Sequence, residues 1–301
     1  MSKLISRRSF LRTGACAAAA GVVSAGLAAQ AKQAAKPVRV VLIGLDGIRT
    51  DGLQQAETPN LDRLFAEGAF SWTTRDVMPS VTLPNWTSIF LGSGPERHGV
   101  VENVWASKKH KIAPVTVDAD GHYPSLFQVL KEQVPGVKTA YYWNWHTLIN
   151  PINKKHLDEY NYERNDGFLD NYARAFDFLK LHRSEPTLVF LYDVHTDHAG
   201  HKHAWMSPEY LAAIKETDAA VGELVAKMKS EGIFDGTHFM FLTDHGGKGK
   251  NHGGVSNEEM VVPWGIVGPG IKRGCRLECI NDTMNTAATA ACRRCRTVRT
   301  G

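Results

Sequence analysis

The segment Arg39–Leu45 constrains this chain more than any other. It is an apolar run rich in β-branched residues that stops abruptly at Asp46-Gly47. A run of strand length with no polar alternation fits a strand buried on both faces, which is the usual lot of parallel strands. Three later segments repeat the pattern. Thr187–Tyr192 ends at Asp193, His238–Leu242 ends at Thr243-Asp244-His245, and Val261–Val267 ends at Gly268-Pro269-Gly270. Helical periodicity lies between them, most clearly from Ser207 to Glu231, where Leu211, Ile214, Val221, Leu224, Val225 and Met228 share a face. Shorter helices are predicted over Leu61–Glu67, Asn85–Leu91, Ser125–Gln133 and Leu169–His182. This alternation predicts an α/β fold with a mostly parallel central sheet flanked by helices on both faces. Ligands of such sheets bind beyond the carboxyl ends of the strands, where Asp46, Asp193, Asp244 and His245 fall.

The charge distribution excludes one class of partner. Of a formal +4, four positive charges lie in residues 1–31 and four in the last ten, leaving the body at −4. An acidic body offers no electrostatic footprint for a nucleic-acid backbone. The basic N-terminus reads as an address. Ser6-Arg7-Arg8-Ser9-Phe10-Leu11 is a twin-arginine pattern, followed by an Ala/Gly-rich run and the small-x-small sequence Ala29-Gln30-Ala31. Residues 1–31 are therefore expected to be a twin-arginine signal peptide, directing the protein to the periplasm or medium. The run is too short and weakly apolar for a stable membrane span. No linker, repeat or charge block divides the rest, so residues 38–291 are expected to form one catalytic domain and residues 292–301 a basic tail. Beyond the leader, the cysteines are Cys275, Cys279, Cys292 and Cys295, all near the C-terminus. Metal-knuckle and disulfide readings both exist for them, an oxidising compartment favours the disulfide, and neither gives them a catalytic role.

The chemistry sits just after the strands. Asp46 follows the first; Asp197 and His201 lie beyond Thr187–Tyr192; Asp244 and His245 follow the next; His252 sits in the glycine-rich stretch Gly246–Gly254. Any one alone has a bland reading, since an Asp after a strand is commonly a helix cap and a His a surface residue. Together, carboxylate and imidazole are ligands for zinc or a similar transition metal. Six such groups exceed the three protein ligands of a typical catalytic zinc and are enough for a two-metal site. Thr82 has its own alternative, as cap of the helix expected near Asn85.

These segments resemble the alkaline phosphatase superfamily, in particular its type I phosphodiesterase/nucleotide pyrophosphatase branch. The matching residues are Ile43-Gly44-Leu45-Asp46-Gly47, Thr58-Pro59-Asn60-Leu61, Pro79-Ser80-Val81-Thr82-Leu83-Pro84-Asn85 and Gly94-Pro95-Glu96-Arg97-His98-Gly99. Asp197-His198-Ala199-Gly200-His201, Thr243-Asp244-His245-Gly246 and His252-Gly253 complete the set, in the family's order. The resemblance implies an alkaline phosphatase-like fold and two Zn2+ per chain. Asp46, Thr82, Asp244 and His245 would hold one ion, and Asp197, His201 and His252 the other. Thr82, in Thr82-Leu83-Pro84-Asn85, would be the nucleophile, and Asn85 would hydrogen-bond a non-bridging oxygen. The implied substrate is a small phosphate ester, with diesters and pyrophosphates of nucleotide-like compounds favoured. A monoester, a phosphonate and a metal-binding pseudoenzyme are the alternatives. A sulfatase is disfavoured, because no Cys or Ser stands at the Thr82 position. His98 is expected to be structural, and His195, His198 and His203 carry no assignment. Asn281–Thr289 resembles the start of the family's last helix, after which Cys292–Arg299 has neither helical nor strand periodicity and reads as a frame-shifted, truncated end.

Overall fold

The computed structural model describes residues 38–164 and 167–292. The signal peptide expected over residues 1–31, and the tail beyond Cys292 with Cys295, lie outside them. In chain order the elements are β1 (Arg39–Leu45), α1 (Thr50–Gln55), α2 (Pro59–Ala66), β2 (Ala69–Arg75), α3 (Thr82–Leu91), α4 (Pro95–His98), α5 (Leu126–Gln133), β3 (Lys138–Trp143) and β4 (Glu159–Tyr162). They continue with α6 (Leu169–Leu181), β5 (Thr187–Asp193), α7 (His195–His203), α8 (Pro208–Ser230), β6 (Thr237–Leu242), α9 (Asn257–Met260), β7 (Val261–Val267), β8 (Cys275–Arg276) and α10 (Asn285–Ala291).

The strands form one sheet in the order β4-β3-β5-β1-β6-β7-β2-β8. β1 is central, paired in parallel with β5 on one side and β6 on the other. Every residue of β1 is buried, as its unbroken apolar run demands. Val41, Ile43 and Leu45 face one layer, which holds Leu53 of α1, Leu61 and Phe65 of α2, Phe178 of α6 and Ile214, Val221 and Leu224 of α8. Val40 and Leu42 face the other, built from Trp86 and Phe90 of α3, Phe127 of α5 and Ala287 of α10. The expected α/β sheet covered on both faces is thus the observed one. Truncating a core leucine to alanine in such a layer costs about 2–5 kcal/mol.

One strand departs from the expected pattern. β7 runs antiparallel to both β6 and β2. A buried run such as Val261–Val267 looks the same in either direction, because its polarity is set by the connection and not by its side chains. The second departure matters for the site. α3 begins at Thr82 and not near Asn85, and its N-cap is Val81, with no side-chain cap bond. Thr82 is therefore inside the first turn, so the capping role is not open to it. The run Tyr141–Trp143 packs in the core as part of β3. Cys275, Cys279 and Cys292 are free thiols. No helix among the described residues is long and apolar enough to cross a membrane.

Candidate metal centre

The carboxyl ends of β1, β5 and β6 bring Asp46, Asp197 and Asp244 into one buried cell, each less than a tenth exposed. All three carboxylates are arranged alike, with at least one oxygen left without a partner. Asp46 Oδ2 accepts the Tyr192 hydroxyl and, at 3.1 Å, the Trp86 indole N–H, while its Oδ1 has no hydrogen-bond partner. Asp244 Oδ1 accepts the Gly47 N–H at 3.1 Å and leaves Oδ2 alone; Asp197 Oδ1 is also alone. Gly47 holds this geometry through a left-handed φ of 69° and a Cβ position that would lie 3.1 Å from Asp197. Its carbonyl accepts the Trp205 indole at 2.8 Å and the Tyr210 hydroxyl at 2.9 Å, so the turn is clamped from both sides.

The imidazoles are held in one common way. His245 Nδ1 contacts the Gly246 carbonyl at 2.8 Å, His252 Nδ1 that of Ser80 at 2.9 Å, and His201 Nδ1 that of Lys250 at 2.8 Å. A carbonyl only accepts, so each Nδ1 carries the proton and each Nε2 presents a lone pair, the state a metal requires. His245 Nε2 stands 3.4 Å from Asp46 Oδ1, 3.2 Å from Asp244 Oδ2 and 3.2 Å from Thr82 Oγ1. Asp197 Oδ1 lies 3.5 Å from His201 Nε2 and 3.8 Å from His252 Nε2. The rings of His245 and His252 stack at 3.7 Å. Two ligand clusters result, Asp46–Asp244–His245 and Asp197–His245–His252, joined at His245. His201 lies outside both triads but reaches the second through Asp197.

The electrostatics call for cations. Burial, then the Asp197 charge, pushes the Asp46 carboxyl well above the usual carboxylate range; burial, then Asp46, does the same to Asp244. Burial raises Asp197 to about 7. Burial, with His252 adding, drives His245 far down, and His252 is also lowered by burial. Crowded carboxylates that resist ionisation beside imidazoles that stay neutral form a donor set that a dication completes. The residues fit zinc on chemistry and on their unpartnered atoms alike.

Asn85 does not fit the role expected of it. Its Oδ1 accepts the Val77 N–H at 2.8 Å, and its Nδ2 donates to the carbonyls of Val77, Pro79 and Val81 at 3.0–3.2 Å. Both amide hydrogens are committed to the loop before Thr82, so this side chain is a staple for that loop and has no donor left for a substrate. Asn103 was not visible in the sequence. Its Oδ1 accepts the Leu83 N–H at 2.8 Å, which anchors its amide beside Thr82 with Nδ2 uncommitted. No spacing rule singles it out, because a long loop delivers it. His98 is fully buried against Ser88 Oγ at 2.9 Å, and burial lowers it to about 3, which makes it structural. Asp193 turns away from the cell to the His195 N–H and Thr217 Oγ1. His195 pairs with Glu216 at 2.7 Å, and His203 lies 3.9 Å from Glu209.

Comparison with known proteins places this geometry in a wider set. The family model for type I phosphodiesterase/nucleotide pyrophosphatase matches residues 40–260. A pyrophosphatase/phosphodiesterase of Schizosaccharomyces pombe, itself uncharacterized, is 29% identical over 222 residues, covering 69% of this chain and 44% of the relative. Ectonucleotide pyrophosphatase/phosphodiesterase family member 3 of Rattus norvegicus is 28% identical over 69% of this chain and 24% of its own length. A bis(5'-adenosyl)-triphosphatase of Bos taurus is 26% identical over 70% of this chain and 48% of its own. The chain thus spans less than half the length of each. Murine ectonucleotide pyrophosphatase/phosphodiesterase 5 shares the fold, with a TM-score of 0.70 at 15% identity, covering 83% of this chain and 93% of that one. An inactive form of that murine protein, solved in complex with AMP, superposes equally well.

Proposed function

The chain belongs to the type I phosphodiesterase/nucleotide pyrophosphatase family, and from that premise we propose that it hydrolyses phosphodiester or pyrophosphate bonds of nucleotide-like substrates, with two zinc ions and Thr82 as nucleophile. One observation carries the reading. Three buried carboxylates with unpartnered oxygens and three imidazoles presenting Nε2 lone pairs gather at the carboxyl ends of the central strands, and the Thr82 hydroxyl stands 3.2 Å from Nε2 of the ring that joins the two clusters.

Asp46, Thr82, Asp244 and His245 would hold one ion, and Asp197, His201 and His252 the other. Bound zinc would make the threonine hydroxyl acidic at neutral pH and neutralise charge on the departing oxygen. Thr82 Oγ1 then attacks phosphorus, the P–O bond to the alcohol or phosphate leaving group breaks, and water later cleaves the phospho-threonine. The first turn of α3 presents Thr82 at the positive end of the helix, which favours the anionic group it attacks. Asn103, and not Asn85, would donate from Nδ2 to a non-bridging oxygen. The nucleotide preference draws on the AMP complex and the bis(5'-adenosyl)-triphosphatase among its relatives. Export through the twin-arginine leader of residues 1–31, ahead of a catalytic domain over 38–291, belongs to the same proposal. Replacing Arg7 and Arg8 by lysine should leave the protein in the cytoplasm.

The test uses bis(p-nitrophenyl) phosphate, a dinucleoside polyphosphate and p-nitrophenyl phosphate. Wild type should prefer the first two, and Thr82→Ala should lose at least about a thousandfold in kcat while keeping its metal. An active Thr82→Ala variant, or full activity after chelation, would overturn the proposal.

A further inference from the structure

The centre around Thr82 leaves one buried carboxylate unexplained. Asp76, just past the end of β2, is 3% exposed, and neither of its oxygens has a hydrogen-bond partner. Its backbone N–H donates to the Met260 carbonyl at 3.1 Å, which sets it beside Glu259 of α9. The Arg75 N–H donates to the Asn281 carbonyl at 3.0 Å and the Thr283 N–H to the Arg75 carbonyl at 2.9 Å, laying residues 281–283 along the same strand end. Asp282 and Glu259 both repel a charge on Asp76, and Arg75 attracts it. The Arg75 Nη2, however, rests 3.7 Å from Met260 Sδ and not on the carboxylate. Three carboxyl groups share one guanidinium, and burial, the largest cause, pushes Asp76 up to about 8.

The free donor atoms around Asp76 are oxygens. Glu259 is committed, accepting from the Gly254 N–H, the Ser256 N–H and Ser256 Oγ. Asp282 Oδ1 accepts the Met284 N–H at 2.8 Å, leaving Oδ2 for another partner. The Thr283 hydroxyl is 1% exposed and, like Asp76, has no partner. Burying an unpaired carboxylate is costly unless a counter-charge meets it.

We propose that Asp76, Asp282 and Thr283 form a second cation site, separate from the Thr82 centre, which takes a hard divalent ion such as Ca2+ with water completing its shell. No imidazole or thiolate belongs to the set, so it has no preference for zinc. The position gives the ion a purpose. It ties the strand end that leads into the Thr82 loop to the segment before α10.

The experiment uses the full chain, zinc-loaded and dialysed into calcium-free buffer, titrated with CaCl2 by calorimetry and followed by its melting temperature. Wild type should bind one Ca2+ per chain and melt several degrees higher. Asp76→Asn should lose both the bound ion and the increment, and Thr283→Val should weaken binding without abolishing it. Without calcium, Asp76→Asn should melt above wild type, because the cost of burying an unpartnered carboxyl has gone; should it fail to fold, Asp282→Asn takes its place. No calcium uptake by wild type would mean that a proton or water satisfies Asp76, and would overturn the proposal. Uptake undiminished by Asp76→Asn or Asp282→Asn would do the same, because the ion would then lie elsewhere.

Discussion

The two halves of the metal centre are built to different standards. Asp46, Asp244 and His245 are wholly buried, and each is held by partners that are themselves buried: Tyr192 and Trp86 on Asp46, the clamped Gly47 turn on Asp244, the Gly246 carbonyl on His245. The half built on Asp197 is open at one ligand only. The His201 side chain is 41% exposed and rests on the carbonyl of Lys250, whose side chain is at the surface. The difference teaches that the Asp46–Asp244–His245 side is preorganised and closed to solvent, while the other side meets solvent at His201. Electrostatic interactions are stronger in the closed half and screened at the exposed ligand.

The largest effect expected from this asymmetry is at Asp244. Asp244→Asn should lower metal affinity in the buried half by more than about a hundredfold, beyond what loss of a supporting partner costs. The same variant should melt higher than wild type once both are stripped of metal, because one of the crowded carboxylates has gone. Metal titration and melting curves read the two signs separately. His201→Ala should be milder, weakening one metal per chain by about ten- to a hundredfold and leaving the other in place. Equal losses for the two variants would erase the proposed asymmetry.

Smaller still is Trp86→Phe, which keeps the ring and removes the N–H that fixes Asp46 Oδ2. Its expected cost is about tenfold in affinity for the buried-half metal. Gly44 belongs to the same unit, since a Cβ there would lie 2.5 Å from the Trp86 ring. The mildest effect is on pH dependence. In metal-free protein Asp197 titrates at about 7 against an ordinary 3.8, so the folded state holds its proton more tightly than the unfolded one. That contribution is full below about pH 4 and is lost as pH climbs through about 7. The metal-free melting temperature should therefore fall across this window, and zinc-loaded protein should not follow it.

How much of this was legible depends on where each signal is stored. β1, β5 and β6 were readable because their apolar runs end in polar residues. β2 was missed because Ala69–Arg75 alternates weakly and pairs at a register shift. β4 and β8 are short edge strands with little apolar content. In the site, the ligand residue types stood out at the strand ends, whereas nothing in the sequence marked Tyr192 and Trp86 as partners of Asp46. Asn85 stood out through the Thr82-Leu83-Pro84-Asn85 spacing, but the spacing could not show that a helix starting at Thr82 turns its amide back into the preceding loop.

The sequence alone therefore determined the layer architecture, the central strands and the inventory of carboxylates and imidazoles, because hydrophobic periodicity and residue chemistry are local properties. Tertiary structure alone decided the direction of β7, the hydrogen bonds that commit the Asn85 amide to its own loop, and which oxygen of Asp46 and Asp244 stays free. It also decided that Asp76 would be buried without a partner. Each of these depends on hydrogen bonds that form only in the folded chain, and such bonds leave no trace in the spacing of residues along it.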